Sequence, residues 1–370
     1  MRQFTAFGAA LMYFLLFFFC LSANAMERPN PIRVGYVESE EYSAFARNLS
    51  GIALGLREIG LISGFHPDMD ESNARTVWSA LSASSGGNFL FAPDMFFSMK
   101  GMDEAEYSQF TNHKDVDLLI VMGTAAGVYM TGHETQNDYM VFAAANPVLS
   151  GIVKSETERF KPNSYAYIDP SRYRRQLDTA FRVFEIKKLG VVYEDNTFAY
   201  AYSGVAQAKQ SAAGHGFALT EKHVAEALDD SDKGRYYREM KAAYGELIAD
   251  GIDGLYITTA TTEDYMLPWL LADITAAGVA TISQVGESQV ENGVMLSVTL
   301  EDVIDQGRFA AYRLREYKDG KPIDALGQVF EIVPKIFLNY DACQMAGIHP
   351  PFKTLLSMDG IIRARGGAKP

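Results

Sequence analysis

Cysteine is nearly absent: two in 370 residues, Cys20 and Cys343. Cys20 falls in an N-terminal apolar run, so the rest of the chain has one thiol and no internal disulfide. A lone cysteine of this kind is usually a small core residue. Positive charge is also scarce, with 33 Lys and Arg against 46 Asp and Glu, a formal net charge of −13. Without a basic stripe, nucleic acid and anionic membrane surfaces are poor partners. Beyond the N-terminus no apolar run approaches the length of a membrane-spanning helix. The recognised enzyme signatures are missing too. There is no G-x-G-x-x-G after the first strand, no P-loop, no G-x-S-x-G elbow and no H-E-x-x-H. The six histidines, at 66, 113, 133, 215, 223 and 349, have no metal-ligand spacing. No cofactor and no metal are therefore expected. "HPDMDESN" clusters Asp68, Asp70 and Glu71 but lacks the Gly and distal Glu of a calcium loop, and reads as a solvated acidic turn.

What is present begins with an export signal. Arg2 precedes "ALMYFLLFFFCL", and Ala23-Asn24-Ala25 supplies a small-x-small cleavage site, so residues 1–25 read as a signal peptide cut before Met26. Lipid attachment at Cys20 is disfavoured because Phe19 stands where a lipobox needs a small residue. Removing the first 25 of 370 residues leaves 345, enough for two lobes with separate cores. The expected location is the periplasm.

The remainder alternates strand and helix. "IRVGYVE" (Ile32 to Glu38) is a strand, followed by a helix through "SAFARNLSGIALGLREIG". A less regular section, 61–114, contains a helix near "NARTVWSAL" and a strand at "NFLFAP". "VDLLIVMG" and "YMVFAAANP" are apolar on both faces, as central parallel strands must be. "SRYRRQLDTAFRVF", "KKLGVVYE", "YSGVAQAKQSAAGHG", "FALTEKHV", "GRYYREMKAAYGELIADG" and "IDGLYITTA" continue the rhythm. In "EDYMLPWLLADITAAG", Pro268 kinks the helix or marks its start. "VATISQ", "GVMLSVTL", a helix over "EDVIDQGRFAAYRLREYKDGK" and a strand in "QVFEIVPKIFLN" follow. Alternation of this kind means parallel sheets covered by helices. Its extent predicts an α/β protein of two lobes: lobe 1 from 30–148 plus 292–322, lobe 2 from 149–291 plus 323–365. "Asn48-Leu49-Ser50" matches a glycosylation sequon but falls within a helix, which makes it a coincidence.

In such sheets ligands bind beyond the carboxyl ends of the strands. After the first strand stand Glu38 to Tyr42. Gly123, Thr124 and Ala125 follow the next, and Ala145, Asn146 and Pro147 the one after. Glu194 to Thr197 and Thr258 to Glu263 are their counterparts in the second lobe. Thr124 has two readings: an anion cradle, hydroxyl and helix N–H groups together, or an N-cap serving its own helix. "TTATTED" shares that ambiguity. Among aromatics near strand ends, Tyr42, Phe198, Tyr200, Tyr202, Tyr265 and Trp269 are placed to stack on a ligand.

These segments, in this order and spacing, resemble the ABC-transporter substrate-binding proteins whose known members carry tryptophan and other aromatic amino acids. The likeness lies in "RVGYVESEEYSAFARNLSGIALGLREIG", "VDLLIVMGTAAG", "VFAAANPVLSGIV", "LGVVYEDNTFAYAYSGVAQAKQSAAGHG", "DGLYITTATTED", "GRFAAYRLREYKDGK" and "LNYDACQMAGI", spanning most of 32–362. The resemblance implies a type I periplasmic-binding-protein fold: two Rossmann-like lobes of parallel sheet joined by a three-strand hinge that closes on a ligand. It implies a monomer that captures a small ligand, an amino acid or another small polar or aromatic solute, and delivers it to an ABC permease in the inner membrane. A sensor subunit for a histidine kinase or chemoreceptor is the alternative, and a secreted α/β enzyme a third reading. The implied ligand-binding set is Glu41, Tyr42, Gly123, Thr124, Ala125, Asn146, Glu194, Asn196, Ser203, Thr259 and Thr261. Two departures concern the ligand. Asn146 and Thr259-Ala260-Thr261 stand where the family has Asp, and those acids are natural partners of a ligand ammonium. Tyr42-Ser43 replaces a His-Pro, and residues 61–90 read as an insertion.

Overall fold

In the computed structural model the described residues are 28–363, except 67–72, 85–86, 101, 103, 112, 197–198, 228–229, 259–261, 300–302 and 330–333. The expected signal peptide, the Asp68–Glu71 cluster, Phe198, Thr259 and Thr261 lie outside them.

Two sheets organise the chain. The first contains β1 (Ile32–Glu38), β2 (Phe89–Ser98), β3 (Leu118–Met122), β4 (Asp138–Phe142) and β5 (Ser164–Ala166) in the order β2-β1-β3-β4-β5. All its pairings are parallel. The central β3, "LLIVM", is buried at every position, as a strand covered on both faces must be. Pro93 is carried on β2, at the edge of the sheet, where a missing N–H breaks no ladder. The second sheet runs β12-β11-β10-β9-β8-β6-β7. Its strands are β6 (Lys188–Glu194), β7 (Ala218–Val224), β8 (Gly254–Ile257), β9 (Ala280–Ser283), β10 (Leu296–Thr299), β11 (Lys335–Asn339) and β12 (Gly360–Ile362). Only β10 and β11 pair antiparallel. The edge strand β7 buries just Val224.

Sheet membership moves two of the expected boundaries. β5 pairs with β4, and Tyr165 packs 5.9 Å from Phe142 in the first core, so 149–166 belong with the first sheet. β10 pairs with β9, and Leu296 and Val298 lie in the core of the second sheet with Ile282 and Leu338. The return to the first half therefore begins after Thr299, not at 292. The chain crosses between sheets three times: after Ala166, between Thr299 and Val303, and between Leu326 and Lys335. The first and third crossings run side by side, Ile168 N donating to Gln328 O at 2.9 Å and Ile168 bridging Val329 in parallel.

The returning helix Val303–Lys318 packs on helix Ser43–Glu58 with almost no side chain between them. A Cβ on Gly307 would lie 2.1 Å from Asn48 O, one on Gly51 2.0 Å from Ile304 O, and one on Gly55 2.7 Å from the Ala311 Cβ. Asn48 is buried in this seam, its Nδ2 donating to Val303 O, and Leu49 and Ser50 are buried as well, so the sequon is inaccessible. At the far end of the returning helix, Tyr317 donates to Asp138 at 2.7 Å, and Arg28 pairs with the same carboxylate at 2.9 Å while covering the Tyr317 ring. Elsewhere Pro268 occupies the first turn of helix Leu267–Ala276, marking a start and not a kink. Cys343 is fully buried, its thiol pushed up to about 12 by that burial.

The glycine seam yields a paired prediction. Gly307→Ala forces backbone apart and should destabilise the protein by about 2 kcal/mol or more. Gly245→Ala, with nothing within 4 Å of the new Cβ, should stabilise by roughly 0.5–1 kcal/mol. Urea unfolding of both variants checks the contrast; equal effects would refute the close contact.

Candidate functional site

The carboxyl ends of both sheets face a common cleft of about 610 Å³, within the range of small-molecule sites. From the first sheet come Ser39 and Glu40 after β1, Lys100 after β2, Thr124 and Ala125 after β3, Ala143 to Ala145 after β4 and Tyr167 after β5. From the second come Glu194 at the end of β6 and Asn196 after it, Glu226 and Ala227 after β7, and Val285 after β9. Arg172, at the start of helix Arg172–Phe184, and Val303 and Gln306, on the returning helix, complete the wall.

The β3 turn is built around Gly123. Its φ is +94°, and a Cβ there would sit 2.5 Å from Ser39 Oγ and 2.6 Å from the Phe45 ring, so glycine is required by conformation and by space. The helix that follows, Thr124–Gly132, has no side-chain cap from Gly123. Ser39 does that work from the β1 loop: its Oγ accepts from Ala126 N at 2.9 Å. Thr124 Oγ1 accepts instead from Ala145 N at 3.0 Å. Thr124 thus does not cap its own helix; its hydroxyl ties the β3 and β4 loops together while lining the cleft.

Tyr42 lines the cleft with its ring edge-on to Phe45 at 5.3 Å, and burial holds its hydroxyl pKa up at about 12. Glu194 is buried and accepts from Tyr236 OH at 3.0 Å and from Tyr202 OH. The Asn196 amide donates to Glu226 at 3.1 Å and to Tyr202 OH at 3.4 Å. Arg172 donates to Gln284 O at 2.7 Å and makes no salt bridge among the described residues. Burial opposes its charge, but Tyr173, Tyr256, Asp169 and Tyr167 outweigh it and hold the guanidinium pKa above its ordinary value.

Of the sequence-derived set, Tyr42, Thr124, Ala125, Glu194 and Asn196 line the cleft, and Gly123 shapes its floor. Three residues stand elsewhere. Glu41 is exposed and accepts from Asn73, the cap of helix Ala74–Ala83; its neighbour Glu40 faces the cleft. Asn146, at φ +44°, accepts from Leu149 N at 3.2 Å and closes its own turn. Ser203 is fully buried, its carbonyl accepting from the Gln284 side chain. Of the aromatics, Tyr202 lines the cleft with Tyr42, whereas Tyr200, Tyr265 and Trp269 are exposed and not part of it. Phe45, Tyr107, Tyr167, Arg172 and Glu226 line it without having been singled out in the sequence. Tyr167 and Arg172 were hidden because "SYA" is too short to show strand periodicity, so the residues after it did not register as a strand end.

No protein-family model matches the chain, and no curated protein sequence does. Solved structures do. A conserved domain protein from Vibrio cholerae matches at TM-score 0.67 and 19% identity over 90% of this chain and all of the other. An ABC domain in complex with L-Trp from Streptococcus pneumonia matches at 0.66 and 17%, with the same coverage. A ligand-free, open structure of a substrate-binding protein with adhesive properties from Clostridium difficile matches at 0.60 and 16%, again over 90% and 100%. The fold is that of the type I periplasmic binding proteins. In this fold two α/β halves oppose their strand ends, which is how the cleft described above arises.

Two predictions follow from the geometry. Thr124→Val removes the acceptor for Ala145 N, and should weaken binding of a cleft ligand by about 1–2 kcal/mol while leaving a folded protein. Calorimetry with any solute that raises the melting temperature checks this; unchanged affinity would remove the hydroxyl from the site. Glu38, 2% exposed at the end of β1, accepts from Tyr36 OH at 2.8 Å. Burial raises its pKa from 4.5 to about 7, partly offset by hydrogen bonds from Tyr36 and Ser98. The folded state therefore holds this proton more tightly than the unfolded chain. Its contribution is fully present below the unfolded value and is lost as pH rises toward about 7, a swing of up to about 3 kcal/mol. Glu38→Gln should flatten that part of the stability–pH curve measured by urea unfolding; an unchanged slope would contradict it.

Proposed function

We propose that this protein is an exported solute-binding protein that captures a small ligand between its lobes and delivers it to an ABC permease. The observation that carries the reading is the cleft itself, walled by strand ends of both sheets and spanned by three crossings of the chain. A cleft shared by two halves on a narrow connection can close on a ligand and bury it, and the closed shape is then what a permease distinguishes from the empty one. On this reading lobe 1 comprises 30–166 plus the returning helix, and lobe 2 the rest of the sheets. The protein acts in the periplasm as a monomer, with its leader removed after Ala25, and does no chemistry on its cargo. The L-Trp complex among the similar structures is consistent with a ligand of amino-acid size.

Affinity in the micromolar range corresponds to about 8 kcal/mol, reachable with a few buried hydrogen bonds and ring contacts from Tyr42, Phe45 and Tyr167. Native mass spectrometry of the gently purified mature protein, followed by a thermal-shift screen of amino acids, nucleosides and small carboxylates, tests the reading. A bound mass, or one class raising the melting temperature, is expected; a ligand at one hundred times its Kd stabilises by about 2.7 kcal/mol. An empty protein that no class stabilises would overturn it.

A further inference from the structure

Among the described residues, five charged side chains line the cleft. Glu40 and Lys100, from the first sheet, stand 3.8 Å from each other; Arg172, Glu194 and Glu226, from the second half, stand at two poles whose backbone anchors are related by the strand register. Arg172 holds its guanidinium against Gln284 O at 2.7 Å, one residue beyond Ser283, where β9 ends. Glu194 ends β6. Ser283 is paired with Ile257 on β8, and Ile257 with Val192 on β6, so the backbone anchors of the two poles, Gln284 and Glu194, lie two strand spacings apart and one residue out of row. At about 4.8 Å per spacing that is roughly 10 Å. Neither pole is built to satisfy the other. Arg172 makes no salt bridge among the described residues, while the Glu194 carboxylate is oriented by the hydroxyls of Tyr202 and Tyr236. Next to it, Asn196 links Tyr202 to Glu226, which doubles the negative charge at that end.

Apart from the Glu40–Lys100 pair, the facing wall is mainly small and aromatic. Tyr42 and Phe45 present rings from the first sheet, a surface for an apolar body. A charge entering such a cleft loses water and needs an opposite charge at the place where it comes to rest. An α-amino acid carries its ammonium and carboxylate on one carbon, so it can reach one pole but not both.

We propose that the ligand is a charge-separated solute, with an anionic group at Arg172, a cationic group at Glu194 and Glu226, and an apolar or aromatic body between them. The proposal rests on the carrier reading above and names its substrate class. It also accounts for Asn146 and the 259–261 segment having no Asp: the cation is received at a different place in the second half.

The test uses the mature full chain and thermal shift followed by calorimetry. Probes are ω-aminooctanoate, its two halves octanoate and octylamine, and the α-zwitterions L-tryptophan and L-phenylalanine. ω-Aminooctanoate should bind more tightly than either half and than either α-zwitterion, by on the order of tenfold. Arg172→Gln should erase the advantage over octylamine, and Glu194→Gln the advantage over octanoate, each leaving the other pole's preference intact. Arg172→Lys, which keeps the charge, should restore part of the loss. If L-tryptophan or L-phenylalanine binds and ω-aminooctanoate does not, the carrier reading stands and the separated poles are wrong. If ω-aminooctanoate binds equally well to the wild type and both neutral variants, the poles are misassigned. If neither these probes nor the broader solute screen moves the melting temperature, the carrier reading fails and the inference falls with it.

Discussion

The contact between helix Ser43–Glu58 and helix Val303–Lys318 is the constraint on which the rest depends. A chain that builds a second sheet after the first must come back if it is to connect the two halves more than once. Here the return is a single helix. Gly51, Gly55 and Gly307 let it approach the older helix until backbone meets backbone, and Tyr317 with Arg28 and Asp138 pins its far end. Held at that position, its first turn brings Val303 and Gln306 to the cleft wall. The first and third crossings meet through Ile168, whose N donates to Gln328 O. Dispersion contacts are individually small and collectively large; a seam in which glycines let backbone approach backbone gathers many of them.

From that placement the character of the site follows. Strand ends of the first sheet deliver small residues, Ala125 and Ala143 to Ala145, with rings around them. Strand ends of the second deliver carboxylates, amides and hydroxyls. The polar groups nearest the turns are largely spent on structure: Ser39 caps a neighbouring helix, and Thr124 joins two loops. What remains for a ligand is a mainly small and aromatic wall, its Glu40 and Lys100 paired with each other, facing one that carries Arg172, Glu194 and Glu226. That division suits capture between two halves, since each half alone offers only part of what a small amphiphilic molecule needs.

Much of this was legible in the residues. The first strand falls where "IRVGYVE" placed it, and the helix after it ends just short of Gly60, at φ +74°. Long apolar or strongly periodic runs reveal themselves because their pattern repeats over several turns or pleats. Short elements do not. β5 has three residues, and missing it displaced the first crossing and concealed Tyr167 and Arg172. β10 was recognised as a strand but assigned to the wrong half, because pairing partners are a property of the tertiary fold and not of local pattern. At the site, residue type was a fair guide and role was not. Glu41 and Glu40 are adjacent and chemically alike, yet the loop after β1 turns one to Asn73 and the other to the cleft. The hydroxyl of Thr124 was bound to be used; only the structure shows that Ala145 uses it.

The central claim is that one small molecule is held jointly by the strand ends of both sheets. A crystal structure of the protein carrying a solute that stabilises it tests this most directly. The account predicts density for that molecule between the sheets, touching Tyr42 or Tyr167 on one side and Arg172 or Glu194 on the other, with the halves closed over it. Density confined to one half, or seated outside the cleft with the halves apart, would contradict it.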